Sequence, residues 1–143
     1  MSSAIVRDTF EATLRVAYPT LELVDVENKN AVLPKDARGK AVPFMACMYL
    51  ASEEALGVGN AVWRERGTIN VLIYALSGRG SVVATADALR NLLAGKNLNV
   101  RAPGIRLALT SAEPLTSYLG GAASTGVYDI GMVAIPYEFD FTR

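Results

Sequence analysis

The sequence predicts an α+β fold in which two helices pack on a mostly antiparallel sheet that contains a long hairpin. Two segments repeat apolar residues at helical spacing, and several others alternate apolar with polar residues, as strands do. The order is helix, strands, helix, strands, which is typical of α+β architecture. The 143 residues fit one domain spanning 1–143, with no internal repeat and no linker.

The first helix is predicted over residues 3–18, and Pro19 ends it because proline cannot continue a helix. Spacings of four, four and three predict one buried face, made of Val6, Phe10, Leu14 and Ala17. The second helix shows the same periodicity at Val82, Ala86, Leu89 and Leu93. Ser81 is placed to cap its start and Gly95 its end.

The hairpin is predicted from two strands, 44–50 and 64–76, joined by a long charged tip. A short strand over 20–28 and an exposed polar connection over 29–43 precede it. The first hairpin strand is apolar on both faces, which indicates a central strand or an interface.

Three strand-like segments close the chain, at 98–101, 105–112 and 127–143. Tyr137, Phe139 and Phe141 alternate with polar residues, which indicates a half-buried strand. Pro136 in the same segment predicts an edge position or a bulge, because proline cannot donate a ladder hydrogen bond.

Composition excludes several classes of function. There are 14 basic and 14 acidic residues, so the formal net charge is zero, and non-specific binding to nucleic acid is not expected. There is no histidine and one cysteine, which excludes Ser-His-Asp catalysis and a common zinc site. No apolar run is long enough for a membrane span, and the N-terminus lacks a signal-peptide core, so synthesis in a reducing cytosol is expected.

Two glycine-rich stretches resemble parts of phosphate-binding loops. "GRGS" at 78–81 precedes a helix but lacks the third glycine and the βαβ context, which favours a tight turn. "GGAASTG" at 120–126 lacks the Lys-Ser/Thr of a P-loop and precedes a strand, so a long loop or a segment that orders on assembly is favoured. Adjacent Glu53 and Glu54 cannot flank a scissile bond, and Cys47 among apolar neighbours is interpreted as a core residue. No catalytic, cofactor-binding or metal-binding residue is therefore predicted.

The stretch "WRERG" at 63–67 is the most suggestive surface cluster. Trp63, Arg64 and Arg66 belong to the residue types most enriched at interface hot spots, which predicts an oligomer or partner contact. The alternative is a solvated hairpin tip with Trp63 lying against the fold, and the sequence leaves both open.

The order of features resembles the tail terminator proteins of long-tailed phages and their relatives in prophages. The resemblance extends over nearly the whole chain. It rests on "IVRDTFEATLRVAYPTL", "VPFMACMYL", "RERGTINVLIYAL", "ATADALRNLLAGKNL", "GIRLALTSAEP" and "YDIGMVAIPYEF", with Arg66-Gly67 before an apolar strand. The polar connection and the "GGAASTG" loop are the places where this chain could depart from that family.

The resemblance implies a structural virion protein and no enzymatic activity or cofactor. Such proteins form hexameric rings that cap the tail tube, end its polymerisation and offer a head-attachment surface. The implied partners are identical copies, the tail tube protein and a head–tail connector protein, with DNA passing through the lumen unread and no membrane involved. The implied location is the virion tail, after assembly in the host cytoplasm. Loops at 27–42, 52–62 and 116–126 are predicted to order against neighbours.

Two other functions remain open at this point. One is another small head–tail connector component. The other is a small-molecule-binding α+β domain or enzyme that uses the Gly78–Gly80 turn.

Overall fold

The predicted α+β class is confirmed by the computed structural model, which describes residues 4–25, 32–57, 59, 61–76, 82–98, 104–107, 113–114 and 128–142. These residues contain two helices, α1 (Ala4–Ala17) and α2 (Val82–Leu93). They also contain seven strands: β1 (Glu22–Val24), β2 (Phe44–Leu56), β3 (Val62–Leu76), β4 (Asn97–Leu98), β5 (Ile105–Leu107), β6 (Glu113–Pro114) and β7 (Tyr128–Thr142).

The seven described strands form one sheet in the order β1-β2-β3-β7-β5-β4, with β6 also paired to β7. Only β1 and β2 run parallel to each other; the remaining described pairs are antiparallel. The predicted hairpin is present, and its register runs from Phe44 opposite Tyr74 to Leu56 opposite Val62. Strand β7 pairs with the whole length of β3, so three long strands form the centre of the sheet.

Both helices pack on the same face of this sheet. The core joins the helix stripes, including Phe10 and Leu89, to alternate residues of the long strands, such as Val71 and Ile135. On the opposite face, Phe44, Tyr74 and Tyr128 form an aromatic group at one end of the sheet. The Phe44 and Tyr74 rings stack at 4.3 Å, and the Tyr128 hydroxyl donates to the Val42 carbonyl at 3.0 Å.

The helix faces are nearly as predicted. All four predicted residues of α2 are buried, and so are Val6, Phe10 and Leu14 of α1, but Ala17 is exposed. Ala17 is the last residue of α1, and the Tyr18 side chain packs against the core instead. Gly95 ends α2 with a φ of 71°, as predicted, whereas Ser81 lies outside the described residues.

The predicted loop at 52–62 is wrong in most of its length. Residues 52–56 belong to β2 and Val62 to β3, so the connection is only 57–61. The charges expected at a solvated tip therefore lie within paired strands, where Glu54 is directly opposite Arg64. The facing pair of Glu54 and Arg64 favours strand pairing, whereas Glu53 directly opposite Glu65 does not, so charge alone does not explain the longer strands.

Strand β7 is not an edge strand, so the edge position predicted from Pro136 is wrong. Pro136 faces Thr68 of β3. On its other side, β6 pairs with Val133 and Ala134, and β5 pairs with Tyr137 to Phe139. Neither of these two described pairings includes Pro136. The register between β3 and β7 is continuous through Pro136, so the bulge predicted as the alternative is absent from that pairing.

The described part of the predicted polar connection, 32–43, is mostly exposed, as expected. An isolated bridge between Lys35 and Ala41 closes a turn in which the Asp36 carboxylate accepts from the backbone N–H groups of Arg38 at 2.8 Å and Lys40 at 2.9 Å. The loop predicted at 116–126 lies outside the described residues.

Candidate interaction surface

Six charged side chains line up across four strands on the sheet face opposite the helices. We call this group the charge ladder; it consists of Glu54, Arg64, Arg66, Arg106, Glu138 and Asp140. Two rows of it follow the strand register. One row runs Glu54, Arg64, Asp140 and the other Arg66, Glu138, Arg106.

The strongest contact in the charge ladder is the bidentate pair between Arg64 and Asp140. The Arg64 Nε donates to Asp140 Oδ1 at 2.7 Å and its second nitrogen to Oδ2 at 2.9 Å. Arg106 also donates to Asp140, at 3.1 Å. These hydrogen bonds, first that from Arg64, hold the pKa of Asp140 below its usual value and outweigh its partial burial.

The outer part of the charge ladder is more exposed. Arg66 contacts Glu138 at 3.0 Å and Glu54 at 3.1 Å, and its side chain is 51% exposed. Arg106 reaches Glu138 at 3.4 Å. With three guanidinium groups and three carboxylates, the charge ladder is neutral, so it does not form the basic patch that phosphate binding requires.

Replacing Asp140 by asparagine should make the protein less stable at neutral pH but not in strong acid. The depressed pKa means that ionised Asp140 contributes stability above its unfolded value of 3.8, and that this contribution is lost as the pH falls through the lower folded value. We expect a difference of about 1 kcal/mol or less, because solvent screens the pair. Urea unfolding of wild type and Asp140→Asn at pH 7 and near pH 2 measures it; a difference independent of pH would contradict the assignment.

Trp63 lies on the other face of the sheet from Arg64 and Arg66. Strand alternation points Trp63 to the face that the helices cover, where its pair partner across β3 and β7 is Phe141. Trp63 is half-buried and Phe141 packs against the core. The three residues predicted as one contact cluster therefore cannot all meet the same partner surface; Arg64 and Arg66 share a face, and Trp63 does not.

Glu65 is a fully buried carboxylate that sequence reasoning did not single out. It lies between Trp63 and Gly67 on the helix-covered face, opposite Phe139, and accepts a short hydrogen bond from the Tyr137 hydroxyl. Glu65 lies on the same strand face as Ile69, Val71 and Ile73, because strand side chains alternate. This alternation was the signal in the sequence that could have identified Glu65 as buried. A charged residue at an inward position of a strand requires a buried hydrogen-bond partner, and here the Tyr137 hydroxyl is that partner.

Cys47 is buried, as interpreted from the sequence. Burial, and secondly the negative charge of Glu11, raise the pKa of its thiol to about 12. The thiolate, which is the nucleophilic form, is therefore scarce at neutral pH. Next to it, Tyr49 donates to Glu11 at 3.2 Å and Arg7 lies 4.8 Å above the Tyr49 ring, so these polar groups anchor α1 to the sheet.

Within the described residues no group of three or more Cys, Asp or Glu side chains is arranged to hold a metal ion. Neither described helix has the length and apolar character that a membrane span requires. The glycines of both candidate phosphate loops, 78–81 and 120–126, lie outside the described residues. Glu53 and Glu54 occupy successive positions of β2, so their side chains leave opposite faces of the sheet, as predicted.

Comparison with known proteins supports the fold and gives no family. No family model and no curated protein matches the chain. One solved structure is similar over 100% of this chain and 99% of its own, with a TM-score of 0.59 and 19% sequence identity, and its name describes no function. At this identity the similarity extends to the fold alone, and the α+β class is what this chain and that structure have in common.

Proposed function

We propose that this chain is a structural virion protein that forms a ring on the end of a phage tail tube. In this role it ends tube polymerisation and presents a head-attachment surface. The observation that carries the proposal is the order of sequence segments that resembles the tail terminator proteins. The segments of that resemblance contain helices α1 and α2 and strands β2, β3, β5 and β7. These strands belong to a single sheet, and both helices pack on one face of it.

The chemistry of the described surface supports an assembly role. A ring is a heterologous contact, so each subunit needs two different surfaces. The two faces of the hairpin end differ in this way, because one carries the charge ladder and the other carries half-buried Trp63. In this proposal Arg64 and Arg66 meet one neighbour or the tube, while Trp63 meets another, and the neutral charge ladder leaves DNA in the lumen unbound.

Mass in solution, with and without the tail tube protein, tests the proposal. We expect a discrete ring, about 91 kDa for six 15.2-kDa copies, either alone or on the tube. Tubes assembled with the protein should be uniform in length under the electron microscope and overlong without it. A monomer that leaves tube length unchanged would exclude a tail terminator, and a ring that binds a portal-side protein but not the tube would favour a head–tail connector component.

A variant at the exposed end of the charge ladder tests whether this surface takes part in ring or tube binding. Arg66→Ala should weaken ring or tube binding while leaving the melting temperature nearly unchanged, because its ion pairs are exposed. Lys40→Ala, on an exposed turn, is the matched control that also removes one surface cation. A melting shift caused by nucleotide, together with unaltered assembly, would instead favour the small-molecule-binding alternative.

A further inference from the structure

Helix α1 carries a second apolar stripe that no described element covers. Its buried stripe faces the sheet, but Ile5, Thr9, Ala12 and Val16 also recur at spacings of four, three and four. This is the spacing of a two-helix packing seam. Val16 is 84% exposed and Ile5 36% exposed, and Ala12 is exposed between them.

The second stripe borders a shallow cavity of about 710 Å³ between α1 and α2. Thr9, Ala12, Thr13 and Val16 line it from α1, and Leu92 lines it from α2. Alanine and threonine side chains are short, so another helix could approach α1 closely here. The surface therefore has the shape and the periodicity of a helix-binding groove.

We propose that this groove binds α1 of a second copy of the same chain, in antiparallel orientation about a twofold axis. With the axis between Thr9 and Ala12, Thr9 faces Ala12 of the second copy and Ile5 faces Val16 of the second copy. Such a contact is isologous, since the same surface serves both partners.

Charge complementarity identifies the occupant and its direction. Asp8 and Arg15 are seven residues apart, two turns of helix, and lie on the same edge of the second stripe, the edge away from the core. In the antiparallel pair Asp8 of each copy lies next to Arg15 of the other, which gives two symmetric ion pairs. In a parallel pair Asp8 and Arg15 of the two copies would lie on opposite sides of the seam and would form no ion pair with each other. Arg15 is accessible to a second copy, because its side chain is 60% exposed and its ion pair with Glu11 is long, at 3.7 Å.

The contact is small, which sets its expected strength. A helix of 14 residues is about 21 Å long, so one α1 pair buries less than the roughly 800 Å² per partner of a standard stable interface. We therefore expect reversible association. Because ring formation uses other surfaces, the α1 contact is a separate association that pairs single chains, and it does not depend on the proposed function.

A charge-swap series tests the α1 contact by sedimentation velocity from about 10 μM to about 1 mM, a range that covers weak interfaces. Asp8→Arg and Arg15→Asp each place like charges opposite each other twice, and should raise the dissociation constant about tenfold or more. The double variant restores opposite charges and should restore association. Val16→Ser should abolish it, whereas Lys40→Asp, a charge reversal on a distant exposed turn, should leave it unchanged.

Thermal unfolding of every variant shows whether the fold is intact, since these α1 side chains contribute little to the core. The proposal is supported if the weight-average mass of wild type rises with concentration above that of the single variants, and if the double variant recovers this rise. It is overturned if wild type and single variants have equal mass at every concentration, or if the double variant is as weak as the singles. Binding of an apolar peptide or a small molecule in the groove without self-association would also overturn it.

Discussion

Gly67→Ala should destabilise the protein by about 3 kcal/mol, because two backbones meet where the added methyl group would lie. Gly67 of β3 faces Ala51 of β2. A Cβ atom built at Gly67 would be 2.2 Å from the Leu50 carbonyl oxygen and 2.9 Å from the Ala51 Cα. Since both atoms belong to the backbone, no side-chain rotation relieves the clash, and β2 and β3 must separate. The free energy of unfolding, measured in urea, gives the effect.

Gly39→Ala is the matched control for this experiment. Gly39 has a φ of 75°, but a Cβ atom there would meet nothing within 4 Å. The control therefore measures the cost of a left-handed backbone alone, about 1 kcal/mol. If Gly67→Ala costs no more than Gly39→Ala, the close approach of β2 and β3 at this point is wrong.

Phe10→Ala should lower the free energy of unfolding by about 3–5 kcal/mol, as large-to-small changes at buried aromatic positions do. Among the described residues Phe10 and Phe44 are the largest fully buried side chains, and Phe10 lies in the middle of the α1 stripe that packs on the sheet. The loss combines the transfer of the ring from a buried site with the cavity that remains. Urea unfolding monitored by far-UV circular dichroism measures it.

Val16→Ala on the same helix is the control. Val16 is 84% exposed in the single chain, so its truncation should change the free energy of unfolding by less than about 0.5 kcal/mol. Equal losses for the two variants at a concentration where the protein is dissociated would contradict the assignment of the two faces of α1.

The sequence was sufficient for the elements whose burial follows a simple period. The spacing of Val6, Phe10 and Leu14 predicted the buried face of α1. Alternation from Tyr137 to Phe141 predicted a half-buried segment of β7, because apolar and polar residues alternate there. Local patterns do not determine which strands become neighbours. The parallel pairing of β1 with β2 and the central place of β7 depend on contacts far apart in sequence.

The candidate site shows the same limit. Residue type alone identified Trp63, Arg64 and Arg66 in "WRERG" as a possible contact. Alternation within a strand puts Trp63 on the opposite face from the two arginines. The sequence left open whether this segment is a partner contact or a solvated tip, because the register between β2 and β3 cannot be read from the sequence. Arg106, Glu138 and Asp140 were missed for a related reason: their charges form a group only when β5, β7 and β3 lie side by side.

The central position of β7 has a consequence for synthesis of the chain on the ribosome. Residues 128–142 are made last among the described elements, yet they join β3 to β5 and complete the hydrophobic core. Until they emerge, the hairpin of β2 and β3 has one apolar face and one long edge without its final neighbour. The nascent polypeptide is therefore most prone to aggregate, and most dependent on chaperones, just before translation reaches this strand.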